Sequence, residues 1–441
     1  MLYYVTIKME INMTPYFIKT ILFPSGERLP ILIEKESGMP DYWSTLFVIT
    51  HSRANNLSPN TIEQILRHLI ILKIYLKYFH SEVIDLEQRF KKGLLLHTYE
   101  IESLCDICKM RLEDLNKMCI STNYQSKEKN PVTFFEAVRS SNSREPFKSV
   151  NEESTANRIR TIRDYLVWLS TIYLSRLNER DIRFQLLKDS IDSVKSTLTA
   201  RIPNISHNTF VDAPKGLSKE AIEQVFNIIK RNSEDNPWKN IYTQVRNELL
   251  ILWIYQFGLR RSEVLNLKIS DIDFRSITCV ILRRPNDPSD PRKNQPRVKT
   301  GERKLDIPKK LLSLTQDYIL NYRTHLPESK KHEYLFVAAK SGKPMSLDTL
   351  NKVFSQLKSA LPNLTEKLTP HILRHTWNDN FSALMDKNDY PEEKEKQMRS
   401  YLMGWSKTSH SAAVYTQRHI QKKANEAILD LGNIFFKAHK L

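Results

Sequence analysis

Glycine is scarce in this chain, with 9 residues in 441. Together with 40% hydrophobic residues, that scarcity points to a folded, helix-rich polypeptide and excludes a disordered one. It also leaves no glycine-rich loop to cradle phosphates. Cysteine is sparse too: Cys105, Cys108, Cys119 and Cys279. Cys105 and Cys108 form a CxxC, but no second pair follows at zinc-ribbon spacing, and LCDIC reads equally as part of an amphipathic helix. Such usage suits a reducing compartment. No apolar run reaches the roughly 18 residues of a membrane span. The first residues, with Lys8 and Glu10, lack the basic stretch and apolar block of a signal peptide. No acidic cluster is placed to hold Mg²⁺. The expectation is a protein with no metal, no cofactor and no membrane association.

Positive charge is present in excess. Lys and Arg number 67 against 50 Asp and Glu, a formal net charge of +17. The excess lies over a normally charged surface and not in a basic tail, so a polyanionic partner is expected. Nucleic acid leads, and an acidic membrane surface is second. The cytoplasm, in association with the nucleoid, is the expected location. The length allows two or three domains.

Residues 1–48 read as an extended accessory segment. YYVTIKMEI alternates, and PYFIKTILF and RLPILIEK flank the turn signal Pro24-Ser25-Gly26, which predicts a β-hairpin. Its role is either packing or DNA contact. Residues 49–198 read as a helical domain. Ser58 caps a helix with Pro59 at its first position, and Ile62, Ile65, Leu66, Leu69, Leu72, Leu76 and Phe79 recur at helical spacing. A second long helix, TANRIRTIRDYLVWLSTIYLSRL, buries Ile159, Ile162, Leu166, Leu169 and Ile172. Arg158, Arg160 and Arg163 project elsewhere, either as solvated surface or as phosphate contacts. Residues 199–216 lose periodicity and gain Pro, Asn and Gly, which marks a linker. Residues 217–441 form a second domain: helices, then a three-stranded antiparallel sheet from LKISDIDF, TCVILRR and VKTGERKLDIP, then further helices. The fold class is therefore mainly α with a small antiparallel β-sheet (α+β).

Several groups of this second domain can act together. Arg260 follows Gly258-Leu259 at a helix junction, where a turn can aim its guanidinium into a cleft. Glu263, three residues on, can hold that guanidinium or stabilise its own helix. His371 and Arg374, at i and i+3, share one side of a helix, and His375 is expected to bond within the domain. Lys299 lies in Lys-Thr-Gly at a strand edge. Trp405 follows Met-Gly, and Tyr415 follows ten residues later. Each alone reads as ordinary surface or core. Together, cationic forks and a phenol are the parts needed to attack a phosphodiester.

The ordered set GLRxSE, KTG before a strand ending in Pro, PHxLRHT, LxGW and a Tyr ten residues on resembles the tyrosine recombinase (phage integrase) family. The likeness covers about residues 217–420, and more weakly 50–190. It implies that Tyr415 is the nucleophile, Arg260 and Arg374 the phosphate clamps, and Lys299 the general acid. His371 is implied as acid–base and phosphate ligand, Glu263 as a supporting carboxylate. Trp405 stands where the family more often has His; it can pack or donate an indole hydrogen bond, but cannot exchange protons. The loop before Lys299 is longer than the family's usual turn, which leaves Lys293 as an alternative acid. The resemblance further implies a two-domain clamp around double-stranded DNA with specific recombination sites, and a homo-tetramer. An apolar stripe of Ala424, Ala427, Ile428, Leu431, Ile434 and Phe435 would pack on its own domain or on a neighbouring protomer. The implied activity is site-specific integration for a mobile element without metal or ATP; relaxation of supercoils by a type IB topoisomerase is the alternative.

Overall fold

The computed structural model describes residues 15–80, 82–116, 149–204 and 216–406, with 409, 412, 414–416, 420, 423–425 and 427–430. The YYVTIKMEI segment, most of the expected linker, and Leu431, Ile434 and Phe435 lie outside these residues. Two compact units emerge: Met1–Leu22 with Arg28–His207, and Asn208–Leu441 with Phe23–Glu27.

In the first unit, β1 (Tyr16–Leu22) pairs antiparallel with β2 (Arg28–Glu34), Tyr16 facing Glu34 and Leu22 facing Arg28. The expected hairpin is present, and β2 is buried almost throughout while β1 keeps an exposed face. The extended reading stops there: α1 (Tyr42–Phe47) is helical, because Asp41 accepts the Ser44 amide as its cap. Its Phe47 packs edge-on to Tyr165 and Trp168. Helix α2 (Pro59–Tyr78) starts as the sequence predicts, with Ser58 accepting from Thr61. It is followed by α3 (Leu86–Lys91), α4 (Thr98–Lys109), α5 (Glu152–Leu174) and α6 (Ile182–Ala200). Cys105 and Cys108 are buried in α4, and burial raises both thiol pKa values. Leu187, Ile191, Val194 and Leu198 give α6 a buried face that the sequence reading did not single out.

In the second unit α7 (Lys219–Ile229) leads to α8 (Ile241–Phe257), which is apolar and buried on nearly every side, with Trp253 fully enclosed. Gly258 ends it in the left-handed conformation. Short α9 (Arg261–Asn266) follows, then β3 (Ile272–Asp273), β4 (Thr278–Ile281) and β5 (Arg303–Asp306), an antiparallel sheet in that order, as expected. Helices α10 (Lys309–Asp317), α11 (Leu347–Ser359), α12 (Pro370–Lys387) and α13 (Glu392–Met403) complete the described core. Helix α13 goes beyond the sequence expectations. It too ends at a left-handed glycine, Gly404.

Candidate active site

Two glycine-terminated helix ends frame the candidate site. A left-handed Gly258 stops α8, so Arg260 opens α9 two residues later. A Cβ on Gly258 would come within 2.9 Å of the Met403 methyl and 3.1 Å of the Trp377 ring, in a left-handed backbone that strains any L side chain. Gly404 stops α13, and Trp405 emerges there. Between these turns lies Arg374, on the second turn of α12 and 1% exposed. Its guanidinium donates to the Gly258 carbonyl at 2.6 Å and to the Met403 carbonyl at 3.4 Å. Both helix ends are thus satisfied by one side chain.

Glu263 is the hub of the charges. Its carboxylate accepts from the Arg260 amide at 2.7 Å and from the Thr300 hydroxyl. It meets Arg303 at 3.1 Å and Arg374 at 3.7 Å. Burial pushes its pKa upward, but Arg303 and Arg374 outweigh that and hold it below the usual range, so it is a carboxylate. Of the two functions the sequence left open it supports its own helix, and the guanidinium groups it pairs with are those of Arg303 and Arg374. Arg303, at the start of β5, and Thr300 escaped the sequence reading; an inward parity in RKLD was the available signal.

Tyr415 is buried, and its hydroxyl lies 3.0 Å from Nδ1 of His375. Its ring stacks on Trp405 with centroids 5.6 Å apart and planes 10° from parallel. The Arg374 guanidinium sits 5.5 Å from the Trp405 ring, so cation, indole and phenol form a layered group. Burial raises the Tyr415 pKa, while Arg374, Arg399 and Arg260 pull it back. Arg399 of α13 is fully enclosed and paired with Glu395, Asn378 and Ser382, 5.7 Å from the Tyr415 ring. Its only sequence signal was the i, i+4 spacing to Glu395.

His371 is exposed on the first turn of α12, edge-on to His375 with ring centroids 4.4 Å apart. Desolvation, then Arg374, Arg260 and Arg261, lower its pKa and favour the neutral imidazole. Lys299 is exposed and makes no hydrogen bond or ion pair among the described residues, although Thr300 beside it is buried against Glu263. The structure therefore brings Arg260, Glu263, His371, Arg374, Trp405 and Tyr415 together, and leaves the Lys299 ammonium in solvent next to them. Lys293 is likewise exposed.

Two buried donors of the group point at nothing: Nη1 of Arg260 and Nε1 of Trp405 lack a hydrogen-bond partner among the described residues. Unsatisfied buried donors are costly, and an anion would satisfy them. With Arg374 alongside, the arrangement can hold an oxyanion next to a phenol.

The helical unit behaves differently from expectation at one position. Arg158 does not project with Arg160 and Arg163. Its guanidinium donates to the carbonyls of Cys108 at 2.9 Å and Met110 at 2.5 Å, closing the C-terminal end of α4. Arg160 is exposed, and Arg163 pairs with Asp164 at 2.8 Å.

Residues 215–422 match the phage integrase family. The chain is 26% identical over 192 residues to tyrosine recombinase XerD of Halalkalibacterium halodurans, covering 44% of this chain and 55% of that one. It is 26% identical over 234 residues to transposase A from transposon Tn554 of Staphylococcus aureus, covering 52% of this chain and 58% of that one. The chain thus spans somewhat over half the length of these relatives. Among solved structures, the Tn1549 transposon integrase in complex with transposon right end DNA aligns with a TM-score of 0.42 at 14% identity, over 87% of this chain and 100% of that one. Residues 215–422 of this chain are thus a phage integrase domain, and the relatives it resembles include tyrosine recombinases.

Proposed function

We propose that this protein is a site-specific DNA recombinase, the integrase of a mobile genetic element, which cuts and rejoins DNA through a 3′-phosphotyrosine. The observation that carries the reading is a buried phenol layered on Trp405 beside Arg260 and Arg374, with two donors left for an anion. Residues 49–198 act as a DNA-binding domain and 217–441 as the catalytic one. The work is done in the cytoplasm, on the nucleoid.

Tyr415 Oη attacks the phosphorus, and the bond to the 5′ oxygen breaks. The forked guanidiniums of Arg260 and Arg374 stay charged throughout and bind non-bridging oxygens as charge builds. The Trp405 indole N–H adds a neutral donor. Neutral His371 ligates the same phosphate. Lys299 protonates the departing 5′ oxygen, which as a free alkoxide would leave poorly; a general acid of this kind contributes roughly 10²–10⁴-fold. Burial keeps the Tyr415 phenol protonated at neutral pH, so as Oη attacks its proton passes to a base, and Nδ1 of His375, 3.0 Å from the hydroxyl, is placed to take it. The ester conserves the bond's free energy, and religation to another 5′ hydroxyl needs no nucleotide.

Synapsis of protomers into a homo-tetramer accounts for the tail. Ala424, Ala427 and Ile428 are all exposed, Ile428 by 64%, and these three residues of the apolar stripe would pack on a neighbouring protomer. Tyr415→Phe is the direct test. The variant should form no covalent adduct on a nicked suicide substrate while binding DNA as tightly as the unaltered chain. An adduct that persists removes Tyr415 as nucleophile.

A further inference from the structure

The long connection 282–302 between β4 and β5 carries Lys299, and it is anchored along its length. Arg292 is the principal anchor. It is 8% exposed, and its guanidinium donates to the carbonyl of Leu265 at 2.9 Å, the carbonyl of Met345 at 3.0 Å and Oδ1 of Asn266 at 2.9 Å. It is neutralised by buried Asp290 at 2.8 Å and lies over the Tyr334 ring at 4.4 Å. Asn266, in turn, donates from Nδ2 to the carbonyl of Pro296, three residues before Lys299. Farther on, Thr300 is tied to Glu263, and the Gly301 amide donates to the Gly404 carbonyl at 2.8 Å. Val298 and Thr300 are buried at 6% and 4%, while Lys299 between them is exposed.

Four of these ties, those to Leu265, to Asn266 from Arg292, from Asn266 to Pro296 and from Thr300 to Glu263, converge on one six-residue helix. Helix α9 has Arg260 at its entry, Glu263 in its middle and Asn266 at its end. Its first residues align a phosphate clamp, and its last residue grips Arg292 and Pro296. A rigid helix that touches both fixes the distance between clamp and lysine before DNA arrives. Such fixing matters because a misplacement of about 1 Å can cost roughly 10²-fold in rate.

We propose that Arg292 is a positioning residue for the cleavage reaction: by locking the 282–302 loop onto the end of α9, it holds Lys299 in register with Arg260 in the DNA-free protein. The proposal rests on Lys299 as the acid that protonates the departing 5′ oxygen.

The test compares two substrates on the full chain. One has the ordinary phosphodiester at the cleavage site. The other carries sulfur in place of the departing 5′ oxygen, a group that leaves without a proton. Arg292→Lys keeps the charge but cannot fork between carbonyls and Asn266. It should cut the ordinary substrate about 10²-fold more slowly and the sulfur substrate at the unaltered rate. Equal slowing on both substrates, or no slowing on either, overturns the proposal. Lys299→Ala serves as the control: if sulfur fails to restore its rate, the acid assignment fails, whereas restoration there without restoration in Arg292→Lys rejects the positioning role alone. Should Arg292→Lys not fold, amide hydrogen exchange on the unaltered, DNA-free chain decides. Slow exchange at Arg292 and Gly301 supports a preformed mount, and fast exchange at both refutes it.

Discussion

Arg260 and Arg374 carry the same charge in different settings, and their substitutions should separate accordingly. Arg374 is enclosed and holds two helix-end carbonyls, so burial lowers its pKa to about 10 despite Glu263. Arg260 is only partly buried and has a donor to spare. Arg260→Ala should therefore reduce DNA cleavage by roughly 10²–10³-fold while leaving the urea midpoint nearly unchanged, as loss of one transition-state donor typically does. Arg374→Ala should lose cleavage to at least that degree and shift the midpoint as well, because Gly258 and Met403 carbonyls and part of the Glu263 charge are left without it. Equal midpoints for the two variants would contradict the structural half of Arg374's work.

Turns, more than helices, set the site at the next scale. Gly404 has φ of 64°, and a Cβ there would lie 2.7 Å from the Gly301 carbonyl oxygen, 2.8 Å from Arg303 and 3.0 Å from Thr300. The close approach joins the Lys-Thr-Gly segment to the turn that presents Trp405. Gly404→Ala should cost about 2 kcal/mol or more from backbone strain and the clash together. It should also slow adduct formation, since Trp405 and the stacked Tyr415 follow the turn. Chemical denaturation and suicide-substrate kinetics on the same preparation would check both effects; an undisturbed rate would separate the turn from the nucleophile's placement. The elements themselves were largely legible. Ser58-Pro59 announces α2, and that cap forms. Helix α6 was overlooked because its charged faces dilute the spacing of Leu187, Ile191, Val194 and Leu198. Helix α13 was overlooked because EEKEKQMRSYLM is strongly polar, and its buried residues are Glu395, Arg399 and Met403.

Across the whole molecule, charge governs both binding and acid stability. Affinity for duplex DNA should fall with salt at a slope of about −0.9 per neutralised phosphate in log–log form. A flat response, measured by fluorescence anisotropy, would exclude a basic binding surface. Acid sensitivity should begin early. Burial, and then Arg158, lower the pKa of His68 to about 4, and burial also lowers those of His80 and His332. As pH falls through about 6.5 the unfolded chain takes up protons that these folded-state imidazoles refuse, so stability is lost from there downward. For His68 the loss should approach about 1.4 kcal/mol per pH unit until its folded pKa is reached. The carboxylates held low, Glu263 and Asp41 among them, add their losses only at lower pH. Urea midpoints at pH 7.5 and pH 5 should differ, and His68→Gln should narrow the difference; an unchanged gap would acquit this histidine.

Sequence alone determined the excess of positive charge, the order of the chemical groups and the starts of the long helices. These depend on net charge, residue type and local spacing, all of which are written along the chain. Only the tertiary structure decided which of many arginines belong to the site. Arg158, Arg303 and Arg399 look alike in the sequence, yet one closes a helix end, one neutralises Glu263 and one lies against the Tyr415 ring. A guanidinium's task is set by the carbonyls, carboxylates and rings that surround it, and those neighbours arrive from distant parts of the chain.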